Sequence, residues 1–548
     1  MGPHAITDII PKHAKQNRSG NRAGNRLILL CLVLMSGGMV WLSMPSPAVP
    51  WLPLVALAPF AVALGRCRPV AGFFLGWLGG TLFWVFSAWW LVHGFRHFMG
   101  WPLPLALLAS LAVFVFQGLP YGLLGLARGK WSDQTGREPS PLWCAAFLTL
   151  ALYPFSLVLP NDFALSLHQT PLAIQVADLG GIHLVNLLLL WINWLIAGLV
   201  QSLRNQRLFL GHSLVLAILV SSLAVYGTYR IESLASADDQ GRLLTAAVIQ
   251  PGLSVRASGE NRQPQALETL VFMVAQALEG SPDLVVWPET PGSAPQTCSS
   301  LREAGLPSLL AGSGTAIMAV FREYDYGSPL PAALPGRGDA ASMTQKITAA
   351  HNTLWLVTQD HCAPAYRKSR LVPFGEYIPF SNQIPWLKKV FGNRLEYSPG
   401  PGAGVISLPT GIRIQPLICF ESLFPDLARQ GAGLGAIAFV NLSNEGGFRS
   451  PKAGRLSLGY SVFRTVEQRR PMIRTANSGY SAHISATGAV VQGTLVPWGT
   501  RSITQARLYC PKTTSPYSKT GDLWLWIPAA GIGLSFMMGI CARRQFPV

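Results

Sequence analysis

The sequence predicts a polytopic α-helical membrane domain followed by an extramembrane α/β domain. Three observations predict it. Apolar residues make up 50% of the 548-residue chain and charged residues only 12%, where a soluble domain carries about 25% charged residues. Seven apolar stretches crowd the first 229 residues, and an eighth returns near 522–541. Between them, in 230–520, short β-branched runs alternate with polar and helix-like segments, the pattern of a layered α/β domain.

The apolar stretches run over about 27–44, 49–65, 70–93, 102–126, 141–159, 180–201 and 208–229. A hydrocarbon core of about 30 Å takes roughly 20 helical residues, and most of the stretches reach that length. The second is short and carries Pro53 and Pro59. Basic residues then orient the chain. Lys12, Lys15, Arg18, Arg22 and Arg26 precede the first stretch, and Arg66 and Arg68 follow the second. Arg128, Lys130 and Arg137 follow the fourth, Arg204 and Arg207 the sixth, and Arg543 and Arg544 the eighth. The alternate loops are nearly free of Lys and Arg. The positive-inside bias therefore puts the basic N-terminus (1–26) and the tail of the C-terminal segment (521–548) in the cytoplasm, and 230–520 on the periplasmic side of a Gram-negative inner membrane. A cleavable signal is not expected, because similar apolar segments follow the first in quick succession.

The net charge of +17 raises nucleic acid as a partner. That reading needs a contiguous basic face, whereas here the charge is sorted among short loops, so no nucleic acid is expected. The eight cysteines form no C-x-x-C pair, so neither a metal nor a cofactor is expected. Cys31 and Cys144 lie in apolar runs and read as small buried hydrophobes. Cys298, Cys362, Cys419 and Cys510 would face an oxidising compartment, where Cys298 and Cys362 are a possible pair. The Pro/Gly-rich stretch Ser328 to Gly338 reads as a loop.

Three apolar strand candidates end in reactive or polar side chains. Leu284 to Trp287 runs into Pro288-Glu289, Ile412 to Ile418 into Cys419-Phe420-Glu421, and Ala436 to Val440 into Asn441 and onward to Glu445. Strand ends facing a common crevice are where α/β enzymes place catalytic groups. A fourth segment, Tyr366 to Tyr377, supplies Lys368 and Glu376. A cysteine is only a few per cent thiolate at neutral pH, so it needs a base or a cation beside it. Glu289 would take the thiol proton, and Lys368 would face the oxyanion of a tetrahedral intermediate. Taken singly, each has a plainer explanation: packing for the cysteine, a surface turn for the glutamate, a solvated loop for the lysine. Only the combination is specific.

Trp287-Pro288-Glu289, Lys368 followed by Leu371-Val372-Pro373-Phe374-Gly375-Glu376-Tyr377, and Cys419-Phe420-Glu421 resemble, in order and context, the Glu-Lys-Cys triad of the nitrilase superfamily. With seven spans before that domain and one after it, nearly the whole chain looks like an apolipoprotein N-acyltransferase. The stretch from His168-Gln169 through Pro171 to Ala177-Asp178-Leu179-Gly180-Gly181 resembles the family's sequence before its sixth span. The resemblance implies an αββα sandwich, with Glu289 as general base, Lys368 as oxyanion stabiliser and Cys419 as nucleophile. It makes Glu376 and Glu421 supporting acidic residues. It also implies a phospholipid acyl donor and a diacylglyceryl-modified apolipoprotein acceptor. Two places depart from the family pattern. Asn444-Glu445-Gly446-Gly447-Phe448 lacks the Trp of the usual Asn-Asp-x-Trp-Phe-like run, and Gln250 is followed by Pro251-Gly252 where an Asn is usual.

Two alternatives stand beside this reading. One is a membrane-bound nitrilase-like amidase or acyltransferase with another acceptor, such as a conjugation-associated homologue. The other is a transporter or scaffold with an inert extramembrane domain. Transporters place ionisable residues inside their spans, and here the spans are nearly free of charge, with Asp178 just before one of them.

Overall fold

A computed structural model describes residues 16–45, 49–237, 241–253, 263–289, 298–326, 347–391 and 396–545. The expected loop at 328–338, together with Lys12 and Lys15, lies outside them.

Among the described residues five helices are long and apolar enough to cross a membrane, by length and composition: Asn25–Ser43, Pro69–Ala88, Leu103–Thr135, Ala177–Gln201 and Gln206–Ser236. The segment expected at 49–65 is not one straight helix. Its prolines divide it into a 3-10 turn, Leu52–Leu54, and a short helix, Ala58–Leu64. Asn193 satisfies the interrupted backbone, accepting from Leu57 N at 2.7 Å and donating to Pro53 O at 3.0 Å. Helices Pro69–Ala88 and Leu119–Thr135 pack through small residues. A Cβ on Gly125 would sit 2.0 Å from Gly72 O, and one on Gly76 would sit 2.3 Å from Tyr121 O, the close approach that small-xxx-small spacing permits. The last helix, Trp526–Gln545, returns to this bundle, where Ser535 accepts from Trp143 Nε1 at 3.0 Å. Cys144 is buried as expected, but Cys31 is exposed on the surface of its helix, while Val33 and Val40 of the same helix are buried in the core.

The intervening domain holds two sheets. Strands β1 (Arg242–Gln250), β2 (Leu284–Glu289), β3 (Ala316–Tyr326), β4 (Ile347–Val357) and β5 (Cys362–Arg367) belong to the first. Strands β6 (Ile406–Ser407), β7 (Arg413–Ile418), β8 (Ala438–Ser443), β9 (Met472–Ala476) and β10 (Ala482–Ile484) form the second, and β11 (Ser502–Cys510) returns to the first. The sheet orders are β11-β1-β2-β3-β4-β5 and β10-β9-β8-β7-β6. The central strands β1, β2 and β3 are parallel, as are β7, β8 and β9.

Side-chain alternation builds the layers. Val248, Leu284, Val286, Met318 and Val320 meet Ile414, Ile418, Val440 and Leu442 between the sheets. The alternate residues Ala247, Val285, Trp287 and Ile317 pack outward onto helix Gln263–Leu278. On the far side Leu417 and Phe439 join Leu456, Phe463 and Val466 of helix Pro451–Gln468. The result is a helix–sheet–sheet–helix sandwich. Its outer helix shares one apolar core with the membrane helices, including Phe83, Val185 and Leu189.

Candidate active site

Strand direction brings the candidate residues together. Because β4 runs antiparallel to both β3 and β5, β5 ends at the same edge as β2. Glu289 is therefore the last residue of β2, and Lys368 follows β5 at the same end of the sheet. Across the sandwich β7 ends at Ile418, and the chain turns at once. Cys419 has φ +51° and opens the 3-10 turn Cys419–Leu423. A non-glycine residue held in the left-handed region is strained, and such strain persists where the surroundings enforce it.

Glu421 does that enforcing. It is fully buried; Oε1 accepts from Tyr366 Oη (2.8 Å), Ser369 N (2.7 Å), Ser369 Oγ (2.9 Å) and Arg370 N (3.1 Å), while Oε2 accepts from Ile418 N at 2.7 Å. One carboxylate thus joins the cysteine turn to the lysine loop. Burial raises its pKa, against the opposing pull of the N–H donors of Ile418, Ser369 and Arg370.

Lys368 is buried between two acids. Nζ lies 3.2 Å from Glu289 Oε1 and 2.7 Å from Glu376 Oε1. Burial alone would lower the pKa of this ammonium, but the charges of Glu289 and Glu376 outweigh it and hold it well above the ordinary lysine value. Asn352 on β4 donates to Glu289 Oε1 at 2.5 Å, and Val372 N donates to Glu376 Oε2 at 2.8 Å. An ammonium has three protons. Two are committed to carboxylates, which leaves one for a developing oxyanion.

Solvent reaches part of Cys419. The protein packed around its thiol nevertheless pushes the pKa up to about 12, through burial first and the Glu289 charge second, with Lys368 pulling the other way. The resting group is therefore a thiol, and attack requires a base at the moment of reaction.

All five residues singled out from the sequence converge here. Asn352, Ser443, Glu445 and Arg474 were not singled out for chemistry, yet they belong to the same assembly. Asn352 has no flanking motif; Glu445 stood in plain view in the run after β8, but its partner Arg474 is supplied by a different strand. Cys298 and Cys362 are joined by a disulfide. It ties the helix Cys298–Glu303 to the start of β5, the strand that leads to Lys368.

The membrane domain abuts the site. Phe448, in the loop after β8, packs edge-on against Trp90 (4.9 Å between ring centroids) and Phe98 (4.8 Å). Phe374, in the loop that carries Glu376, meets Trp101 at 6.3 Å. Gly447 lies so close to Phe98 that a Cβ would stand 2.5 Å from its ring. Where the family pattern has Trp, an aromatic ring from the membrane domain occupies the neighbouring space.

Two family profiles match the two parts of the chain. Residues 36–195 match the family profile described as the apolipoprotein N-acyltransferase N-terminal domain, and residues 245–515 match the carbon-nitrogen hydrolase profile. The chain belongs to the apolipoprotein N-acyltransferase family. An apolipoprotein N-acyltransferase from Rhizobium meliloti is 27% identical over 524 residues, 92% of this chain and 91% of that protein. One from Geobacter metallireducens is 24% identical over 528 residues, 94% of this chain and 95% of that protein. Among solved structures, a carbon-nitrogen hydrolase from Helicobacter pylori covers 53% of this chain and 94% of its own, at 15% identity and a TM-score of 0.34.

Proposed function

We propose that this enzyme moves an acyl chain from a phospholipid to the α-amino group of a diacylglyceryl-modified cysteine at the N-terminus of an apolipoprotein, through a thioester on Cys419. The observation that carries the reading is the convergence of Glu289, Lys368 and Cys419 in a sandwich whose outer helix shares its core with apolar membrane helices. Two lipidic substrates need a site at the bilayer surface, whereas a small soluble amide does not.

In the first half-reaction Glu289 accepts the thiol proton as Sγ bonds to the donor's ester carbonyl carbon. The oxyanion forms beside the remaining Lys368 proton. The ester C–O bond then breaks, the proton returns from Glu289 to the departing alkoxide, and lysophospholipid leaves. In the second half the acceptor amine attacks the thioester carbonyl and gives its proton to Glu289. The C–S bond breaks, and the thiol is restored. In this reading Glu376 holds Lys368, and Glu421 holds the cysteine turn. The enzyme carries 27–229 as its membrane domain and 230–520 as its catalytic domain on the periplasmic side, with 521–548 returning to the cytoplasm.

The test is intact-mass analysis of purified enzyme after incubation with phospholipid alone. One acyl mass on the wild type, removable by neutral hydroxylamine and absent in Cys419→Ala, is expected, with lysophospholipid released in a burst equal to the enzyme concentration. Transfer to a lipopeptide without any loaded intermediate would replace the covalent route with direct transfer in a ternary complex.

A further inference from the structure

Behind the nucleophile, on the side away from Glu289 and Lys368, lies a second buried polar array. Arg474 of β9 is fully buried. Its guanidinium pairs with Glu445 and with Asn441 Oδ1, and it donates to Ser461 Oγ (3.1 Å), Ser457 Oγ (3.0 Å) and Tyr480 O (3.1 Å). Two members of this array reach the cysteine turn. Asn441 Nδ2 donates to Leu417 O at 2.8 Å and stands 3.5 Å from Cys419 O. Ser443 Oγ lies 3.5 Å from Cys419 Sγ and 3.1 Å from Glu445 Oε1.

A hydroxyl has one proton. Ser443 therefore donates to the carboxylate or to the sulfur, and not to both. While the sulfur carries its own proton, the carboxylate is the stronger acceptor. Once Glu289 has removed that proton, the thiolate competes for it. We propose that Ser443 is a further catalytic residue, whose hydroxyl turns from Glu445 to the sulfur as the thiolate forms and when it is expelled from the thioester, and that Glu445 and Arg474 are its positioning residues. The proposal rests on Cys419 being the nucleophile. No bond other than the hydrogen bond changes at Ser443.

The charges around Cys419 can be named from each element that packs on it. Glu289 approaches from β2, and Lys368, backed by Glu376, from the loop after β5. Glu445 and Arg474 approach from the second sheet. Glu421, on the cysteine's own turn, is engaged by backbone N–H groups and by Tyr366. Removing the Ser443 donor destabilises the thiolate. Removing the Glu445 charge frees the hydroxyl and leaves Arg474 uncompensated, so it favours the thiolate.

The experiment follows alkylation of Cys419 by iodoacetamide against pH in the full-length enzyme, resolved by peptide mass spectrometry, alongside acyl loading from phospholipid. A hydrogen bond to a charged group is worth about a tenfold factor or more. Ser443→Ala should move the alkylation profile up by about one pH unit and slow loading about tenfold; Ser443→Thr, which keeps the hydroxyl, should restore both. Glu445→Gln should move the profile down. A Ser443→Ala profile that coincides with wild type overturns the proposal, and so does a Glu445→Gln shift in the same direction as Ser443→Ala. If Glu445→Gln does not fold, the Ala and Thr variants at 443 still decide. Loading that persists in Cys419→Ala would instead overturn the nucleophile assignment itself.

Discussion

Glu289 and Glu421 are buried carboxylates beside one cysteine, wired for different work. Both donors to Glu289 among the described residues, Asn352 and Lys368, converge on Oε1, so Glu289→Gln can keep its carbonyl there while losing proton acceptance and one of the two charges that hold Lys368. Loading should fall by about 10² to 10⁴, even at temperatures where the variant remains fully folded. Near-normal turnover in this variant would reject Glu289 as the base. Glu421 accepts on both oxygens, so Glu421→Gln turns an NH2 against N–H donors at a cost of about 1–3 kcal/mol; its loss of activity should track a lowered melting temperature. The cysteine adds a pH signature. With its pKa near 12, alkylation of free Cys419 should keep climbing well above pH 9, whereas loading from an ester should proceed at neutral pH because Glu289 takes the proton during attack. At this scale the sequence was legible where a residue ends an apolar run or sits in the Leu371 to Tyr377 segment. It was silent on Asn352 and Arg474, whose roles come from neighbours on strands distant in the chain, and it offered Ser443 only as part of the polar run that ends a strand.

Whole elements were legible to the extent that their periodicity is local. The strand runs at 284, 412 and 436 became β2, β7 and β8 within a few residues, because alternate residues face two different cores. The 49–65 segment did not become one helix, because prolines break it and Asn193 from a distant helix repairs it. The same dependence on distant partners governs helix Pro451–Gln468, the seam between the two domains. Just past its end Arg469 pairs with Asp178 at 2.6 Å, and Asp178 also accepts from Arg230 and Tyr226, each at 2.7 Å. Asp178 therefore sits before the break at Gly180 and Gly181 as a buried anchor. Within the helix Glu467 Oε1 accepts from Ile182 N and Arg464, while Oε2 has no hydrogen-bond partner among the described residues. Burial raises Glu467 to about 7, with Arg464 opposing, against an ordinary value of 4.5. The folded protein thus holds a proton that the unfolded chain releases between about pH 4.5 and 7. This stabilisation is complete below that window and is lost as pH rises through about 7; at most it amounts to ~3 kcal/mol. The melting temperature should therefore fall between about pH 5 and 7 and level off above, and Glu467→Gln should flatten that slope. An unchanged slope would show that Glu467 titrates normally.

At the scale of the molecule, the decisive question is the side of the membrane on which the sandwich lies. The sandwich is joined to helix Gln206–Ala237 at one end and to Trp526–Gln545 at the other, so the proposed topology puts both junctions on one face of the bilayer. In the proposed topology loop charge orients the chain, because Lys and Arg near span ends resist translocation. One contributor needs reweighting. Arg128 is not a solvated loop residue: it is buried in helix Leu119–Thr135 and donates to Leu64 O at 2.7 Å and Gly65 O at 2.8 Å while pairing with Glu138. It caps the short helix Ala58–Leu64, which explains its place without any orienting role. Removing it from the tally leaves Lys130 and Arg137 in the same loop, and the alternation survives. A reporter fused after Val548 should therefore be cytoplasmic, and one inserted near Ser328 should be external. Substituting Arg66, Arg68, Arg204 and Arg207 together should weaken the bias and give mixed orientation, whereas Arg128→Ala should lower stability without mixing it. Both reporters on the same side of the membrane would overturn the orientation and, with it, the placement of Cys419 in an oxidising compartment, where the Cys298–Cys362 disulfide could be maintained.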